Sequence, residues 1–284
     1  MSTTRVAAIQ HCASTNVAQN LDCLADLTRR AVADGAQVVT WAEAFAYIGP
    51  HYTDPDTSSG GKAALLETLP DGGPILAFCQ NLAKTMQCEL LLGGFHERSQ
   101  ADRCYNTSVY LDRTGQVAAM YRKIHLFDIS MAHGPQLTES RHTDAGDQAQ
   151  VVASKMGPLG LSICYDLRFP ALYQSLVDAG AIAITVPSAF TATTGALHWH
   201  SLLRARAIES QCYIIAPAQH GTHDNGRQSY GHSLIIDPWG EVLCELAQGD
   251  GFICTDIDPE RVKAARREIP SLANRRTFKA PATT

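Results

Sequence analysis

Two kinds of apolar spacing alternate in the first hundred residues. Short continuous apolar runs at residues 5–10, 37–41 and 88–95 are typical of buried strands. Between these runs, apolar residues recur at helical spacing and predict two amphipathic helices. Gly35 ends the first helix and Pro74 begins the second. The positions on the buried faces are Leu21, Leu24, Ala25, Thr28 and Val32, then Ile75, Phe78, Cys79, Leu82 and Met86.

From about residue 104 onward the chain has a different pattern, in which pairs of apolar segments flank short turns. Turn residues such as those of Asp112-Arg-Thr-Gly115 join strands into hairpins. Helical spacing returns at residues 170–179 and 197–211. This order of elements predicts two mixed sheets between layers of helices. The predicted hairpins are 104–111 with 116–122, 149–154 with 159–163, and 232–236 with 241–246.

Composition narrows the class of protein. The chain has 284 residues, 45% of them hydrophobic, which is enough for a large core and excludes general disorder. The net charge of −5 does not favour nucleic acid or an anionic membrane as a partner. The apolar stretch 179–187 is far shorter than the roughly 20 residues of a membrane span, and no secretory leader is visible. We expect one domain, residues 1–284, with the basic segment 270–284 as a C-terminal arm for a partner subunit.

The chain has nine cysteines, an odd number, and none of them form a C-x-x-C pair. In an oxidising compartment at least one would stay unpaired. We therefore predict a reducing cytoplasm, in which most cysteines are small core residues. The question is then which cysteine performs chemistry.

Three residues with different chemistry follow the ends of predicted strands. Cys164 ends an alternating apolar run just before a turn into a helix, which is a rigid position for a nucleophile. Glu43 follows a buried strand and can be a general base, and Lys123 ends a hairpin strand and can stabilise negative charge. Taken singly, each has an ordinary interpretation as a core thiol, a loop carboxylate or a solvated lysine. Taken together, they predict nucleophilic catalysis without a histidine.

This Glu–Lys–Cys order resembles the nitrilase superfamily of carbon–nitrogen hydrolases, and the resemblance covers about residues 4–278. Residues 187–240 are most similar to the deaminated-glutathione amidase branch, close to the ω-amidases. The chain differs in having Trp41-Ala42 before the glutamate, where the family usually has a proline. The similar strings are Trp41-Ala-Glu43-Ala-Phe45, Tyr121-Arg-Lys123-Ile-His-Leu-Phe127, Cys164-Tyr-Asp-Leu-Arg-Phe-Pro170, Pro187-Ser-Ala-Phe190, Ser229-Tyr-Gly-His-Ser233 and Asp237-Pro-Trp-Gly240.

The resemblance implies an α/β fold, a four-layer αββα sandwich that assembles into at least a homodimer. It implies that Glu43 is the base, that Cys164 forms a thioester, and that Lys123 and the backbone N–H of Tyr165 hold the oxyanion. Glu139 matches a second family glutamate that orients the lysine; the alternative is a solvated loop residue. No metal or organic cofactor is implied.

The expected substrate is a small amide that carries a carboxylate. Arg168 could bind that carboxylate through two parallel hydrogen bonds, or it could instead pair with Asp166. Phe45, Phe190 and Thr194 are candidate pocket walls, although phenylalanines more often lie in cores. Deaminated glutathione, cleaved to α-ketoglutarate and cysteinylglycine, fits the resemblance best.

Other functions stay open at this point. An ω-amidase acting on α-ketoglutaramate, or a nitrilase, would use the same three residues, and release of ammonia instead of cysteinylglycine would identify the ω-amidase. A non-catalytic interaction module has no need of all three residues, and a papain-like protease lacks its local cysteine motif. His220-x-x-His223-Asp224 has too few spaced ligands to favour a metal site.

Overall fold

Short strands and a few helices make up the chain in the computed structural model, which describes residues 3–54, 56, 60–130 and 136–279. The α-helices of this part are α1 (Val17–Ala33), α2 (Pro74–Met86), α3 (Pro170–Asp178), α4 (Ala192–Ser210) and α5 (Pro259–Glu268). The strands are β1 (Thr4–Gln10), β2 (Val38–Thr40), β3 (Glu89–Arg98), β4 (Cys104–Leu111), β5 (Val117–Arg122), β6 (Asp128–Ser130), β7 (Gln136–Thr138), β8 (Thr143–Asp144), β9 (Gln150–Ser154), β10 (Gly157–Leu161), β11 (Ala183–Thr185), β12 (Tyr213–Ala216), β13 (His220–Thr222), β14 (Gln228–Tyr230), β15 (Ser233–Ile236), β16 (Val242–Leu246) and β17 (Gly251–Ile257).

Two mixed sheets contain most of these strands. The first has the order β17-β1-β2-β3-β4-β5, with β8 paired to β4. The second has the order β16-β15-β12-β11-β10-β9. Strands β1, β2 and β3 are parallel to one another, as are β10, β11 and β12. The other neighbouring strands of the two orders pair antiparallel, and β8 pairs parallel to β4. The three predicted hairpins are present as β4–β5, β9–β10 and β15–β16.

The alternation of side chains along β1 shows how the layers stack. Ala7 and Ile9 are fully buried in a cluster with residues of α1 and α2. Val6 and Ala8 point the other way, into a cluster shared with the second sheet. The outer face of the second sheet is covered by α3 and α4, whose Tyr173 and Trp199 are fully buried. The fold is therefore the expected four-layer αββα sandwich.

Some elements were not predicted. Strands β11 and β12 have three and four residues, too few to show a periodic pattern. Strand β17 is only partly buried and is held by pairing along the whole of β1. Helix α5 buries few residues, although Pro259 at its start and the Asp258 cap, which accepts a hydrogen bond from Glu260 N, are recognisable signals. Helix α4 begins at Ala192, five residues before the predicted start.

The predicted arm lies outside the regular elements. Residues 270–279 form turns and irregular chain, and residues 280–284 lie outside the described ranges. Arg275 pairs with Asp178 at the end of α3, and Phe278 is exposed. Contact between this segment and a partner subunit stays a prediction. Within the described ranges, no helix has both the length and the apolar character needed to cross a membrane.

Candidate active site

The candidate nucleophile lies in a tight turn between the second sheet and a short helix. Cys164 begins the 3-10 helix Cys164–Arg168 that follows β10, and its φ of +48° is in the left-handed region. Its backbone N–H donates to Pro187 O at 3.0 Å, which ties the turn to the end of β11. A non-glycine residue in this region is strained, and such strain is typical of functional positions. The turn thus holds the thiol at one place at the sheet edge.

A buried carboxylate, Asp166, connects this turn to the strand end that carries Lys123. It is fully buried and accepts hydrogen bonds from Ile163 N at 2.9 Å and from Tyr121 Oη at 2.8 Å. The backbone N–H and ring Nδ1 of His125 also lie at 3.1 and 2.8 Å from its Oδ1. From the sequence, Asp166 is expected only as a possible partner of Arg168. A carboxylate two residues after the cysteine was the available signal.

Glu43 reaches the same place from the first sheet. It lies three residues after β2, and Ala44 next to it has a φ of +54°. Its carboxylate is buried and accepts hydrogen bonds at both oxygens. Oε1 accepts from Lys123 Nζ and Asn106 Nδ2, both at 2.9 Å, and Oε2 accepts from Ala189 N at 2.8 Å. Asn106, on β4, was missed from the sequence, where it is an ordinary polar residue in a strand.

Two glycines allow the loops of the two sheets to approach this closely. A bulge interrupts the pairing of β3 with β4 between Leu92 and Phe95. A Cβ at Gly93 would lie 2.1 Å from Trp41 O and 2.4 Å from Pro187 Cβ. A Cβ at Gly94 would lie 2.7 Å from Ala44 N. Only glycine fits at these positions while the Glu43 loop stays in place.

Lys123 is held between two carboxylates. It follows β5 directly, and its side chain is 2% exposed. Its Nζ lies 2.9 Å from Glu43 Oε1 and 2.9 Å from Glu139 Oε2. Glu139 also accepts from Phe127 N at 2.7 Å and from Asn106 Nδ2 at 3.2 Å. Its side chain is only 18% exposed, so the alternative of a solvated loop glutamate is wrong.

Burial and neighbouring charges set the protonation states. Burial alone would raise the pKa of Glu43, but the charges of Lys123 and Arg227 and the contact with the Cys164 thiol hold that pKa below its usual value. Burial would lower the pKa of Lys123, but Glu139 and Glu43 raise it. Burial and the charge of Glu43 raise the pKa of the Cys164 thiol. At neutral pH the site therefore contains a carboxylate, an ammonium and a neutral thiol.

Four of the predicted residues line one cavity. Glu43, Lys123, Glu139 and Cys164 all face a cavity of about 390 Å³. A second recess, of about 10 Å³, also reaches the cysteine. The recess is lined by Cys164, Ala189, Phe127, Tyr165, Phe190 and Thr194. The structure therefore places Phe190 and Thr194 beside the nucleophile, but at this small recess.

Two predicted substrate contacts lie elsewhere. Phe45 is fully buried in the core, with its ring 5.2 Å from that of Trp41 and 6.1 Å from that of Phe95, so it is not a pocket wall. Arg168 does not pair with Asp166, so that alternative is wrong. The Nη1 of Arg168 lies 3.3 Å from His198 Nδ1, and its guanidinium covers the Phe190 ring. Binding of a substrate carboxylate by Arg168 stays a prediction.

The histidines of the segment 220–224 support a hairpin turn. His223 Nδ1 lies 2.8 Å from Ala13 O, and its Nε2 lies 2.8 Å from Ser229 Oγ. Asp224 Oδ2 accepts from both the N–H and the hydroxyl of Thr15 at 2.7 Å. These bonds fix the β13–β14 turn against the loop between β1 and α1.

The same turn brings Arg227 to the cavity wall. Its Nη2 donates to Ala189 O, and the N–H of Ala189 donates to Glu43. Arg227 was missed from the sequence, because nothing local distinguishes an arginine in a glycine-rich loop.

A family match along most of the chain adds to the geometry of the site. The carbon-nitrogen hydrolase profile matches residues 5–267.

The chain belongs to the carbon–nitrogen hydrolase family. The resemblance found in the sequence is therefore confirmed, and the chain is a carbon–nitrogen hydrolase. It is 40% identical over 273 residues to the deaminated glutathione amidase of Synechocystis. The aligned region covers 95% of this chain and 97% of the relative.

Solved structures agree with the family and with the fold. The NitFhit protein of Caenorhabditis elegans matches with a TM-score of 0.87 and 35% sequence identity. The match covers 97% of this chain and 66% of the NitFhit chain. Nit3 of Saccharomyces cerevisiae, a member of branch 10 of the nitrilase superfamily, matches with a TM-score of 0.84 and 29% identity, over 97% of both chains.

Proposed function

We propose that this hydrolase is an amidase that cleaves deaminated glutathione to α-ketoglutarate and cysteinylglycine. The observation that carries the proposal is the 40% identity, over 95% of the chain, to a relative of that name. The convergence of Glu43, Lys123 and Cys164 at one cavity supports it, because amide hydrolysis needs a base, a charge stabiliser and a nucleophile.

In the first half of the reaction, the Cys164 sulfur attacks the amide carbonyl while Glu43 takes the thiol proton. Lys123 Nζ and the backbone N–H of Tyr165 donate to the oxyanion. Tyr165 lies at the start of the 3-10 helix, where N–H groups have no partner within the helix. Loss of one such donor costs about 2.7–4 kcal/mol of transition-state stabilisation. The C–N bond then breaks as Glu43 protonates the amine, which leaves a thioester on Cys164.

In the second half, Glu43 takes a proton from water and the resulting hydroxide attacks the thioester carbonyl. The C–S bond breaks, the acid product leaves, and Glu43 returns the proton to the sulfur. Glu139 and Asn106 act as positioning residues, because both bond to the Glu43–Lys123 pair. Glu43 carries every proton, so this scheme requires neither a metal ion nor an organic cofactor.

Steady-state hydrolysis of deaminated glutathione and α-ketoglutaramate tests the assignment. We expect kcat/KM to be at least about tenfold higher for deaminated glutathione, which corresponds to about 1.4 kcal/mol of differential transition-state binding. The products are cysteinylglycine in one assay and ammonia in the other, and both are measured directly. A preference for α-ketoglutaramate would contradict the proposal and would identify an ω-amidase instead.

We also propose a homodimer or larger homo-oligomer. Large apolar side chains are exposed on α4 and beside it: Leu197 is 72% exposed, Ile208 51% and Trp239 44%. Exposed groups of this kind mark interaction surfaces. Light scattering should give at least twice the mass of the chain, and a single-chain mass at micromolar concentration would disprove this proposal.

The reducing cytoplasm is likewise our proposal for the compartment. All nine cysteines are free of disulfide bonds in the structure. Four cysteines other than Cys164 are buried, which fits their use as small core residues.

A further inference from the structure

Two cations of the cavity wall have no carboxylate partner. Glu43 and Glu139 both bond to Lys123, so these three charges already compensate one another. Lys62 and Arg227 line the same cavity, and in the described ranges neither comes within 4.0 Å of a carboxylate oxygen. A half-buried cation without a partner is a site for an anionic group of a ligand.

The position of Glu43 indicates which half of the substrate enters this cavity. In the proposed mechanism Glu43 gives its proton to the departing amine, so that amine must lie against the Glu43 carboxylate. Glu43 lines the large cavity and is not among the residues that line the small recess beside Cys164. The large cavity therefore accommodates the leaving group.

The size of the cavity allows a large leaving group. The cavity has about 390 Å³, which is typical of sites that hold a ligand of many atoms. The recess of about 10 Å³ is too small for an acyl group, so the acyl half of the substrate also lies in the large cavity. The remaining space is far more than the roughly 30 Å³ that a molecule such as ammonia needs, so an amine half of several heavy atoms fits beside the acyl half.

The two cations have different surroundings. Arg227 donates to Ala189 O, and its charge lowers the pKa of Glu43, so it belongs to the reacting end. The half-buried side chain of Lys62 projects from the 3-10 helix Gly61–Leu65, next to the stacked rings of His51 and His142.

The histidines at this end of the cavity are neutral. Burial, followed by the charge of Lys62, lowers the pKa of His51 to about 4 and that of His96 to about 3. The same two causes lower the pKa of His142. The rings of His51, His96 and His142 are therefore uncharged at neutral pH, and Lys62 provides the positive charge of the cavity lining beside them.

We propose that Lys62 binds a terminal carboxylate on the amine leaving group, so that the preferred substrates are amides whose amine half ends in a carboxylate. This inference rests on the proposed function, since it assigns the leaving group to the Glu43 side of the nucleophile. Cysteinylglycine has such a carboxylate and ammonia does not. Lys62 would therefore determine the preference for a dipeptide leaving group.

The test compares two substrates that differ in one charge. The first is deaminated glutathione, and the second is the same molecule with its glycine carboxylate converted to a neutral carboxamide. We expect the wild-type enzyme to prefer the carboxylate by at least about tenfold in kcat/KM, mostly through KM. Lys62→Met should reduce this preference to about twofold or less, and Lys62→Arg should keep most of it.

The control variant is Lys84→Met, which removes an exposed lysine on α2 and should keep the wild-type preference for the carboxylate substrate. If wild-type enzyme does not distinguish the two substrates, or Lys62→Met distinguishes them as strongly as wild type, the role of Lys62 is disproved while the amidase assignment stands. If wild-type enzyme hydrolyses neither substrate, both proposals fail.

Discussion

Cys164→Ala should lower kcat/KM for amide hydrolysis by about 10⁴-fold or more, the scale of losses when a catalytic nucleophile is removed. Alanine provides no atom that can form the thioester. The thiol is buried and held by its backbone bond to Pro187, so the substitution removes one sulfur and little else.

The matched control is another buried thiol. Cys79 on α2 is fully buried in the core between α2 and the first sheet, away from the cavity. Cys79→Ala creates a cavity of similar size and should keep kcat/KM within about threefold, at a modest cost in thermal stability. Steady-state assays and thermal unfolding of both variants separate chemistry from folding. Activity of Cys164→Ala within about tenfold of wild type would exclude the thioester mechanism.

Glu43→Gln should lower kcat/KM by about 10²–10⁴-fold at neutral pH, the contribution typical of a general acid–base. The amide cannot take the thiol proton or return it to the amine. Glutamine also places an NH₂ group where one carboxylate oxygen accepted a hydrogen bond, so contacts to Lys123 or to Ala189 N are lost.

The pH profile distinguishes this loss from simple misplacement. In wild-type enzyme the pKa of Glu43 is below its usual value and that of the Cys164 thiol is above its own. The carboxylate and the protonated thiol are therefore both present across neutral pH, and kcat/KM should be level from about pH 6 to 8. In Glu43→Gln the thiolate must form by loss of a proton to water, so residual kcat/KM should rise about tenfold per pH unit.

Two results would contradict the role of Glu43 as the base. One is a variant with kcat/KM within about tenfold of wild type, and the other is a residual activity that does not change with pH. The control is Glu260→Gln on the exposed face of α5, which removes a carboxylate that pairs with Lys263. That substitution should change neither the rate nor its pH profile, because exposed ion pairs contribute little.

The parts of the fold that follow local rules were predicted well. Helix α1 has a buried face that repeats at helical spacing, and α2 begins at Pro74 as expected. The hairpins β4–β5 and β15–β16 follow from turn residues between apolar segments. The short strand β11 and helix α5 were missed, because their formation depends on neighbours that are distant in the sequence.

The candidate chemistry was also visible in the sequence, since Glu43, Lys123 and Cys164 each follow a strand end. Their environment was not visible. The bond between Glu43 and Lys123 spans 80 residues, and that between Glu43 and Ala189 spans 146. No local pattern indicates such pairs, because they form only when the ends of strands from two sheets meet.

The sequence alone thus determined the family, the layer architecture and the three reactive groups, because residue type, strand spacing and turn chemistry are local properties. Only the tertiary structure decided that Asp166 and Asn106 support the site and that Phe45 lies in the core. It also decided that Lys62 and Arg227 face the cavity. The physical reason is that protonation states, partners and cavity walls depend on which charges and atoms become neighbours when the sheets pack.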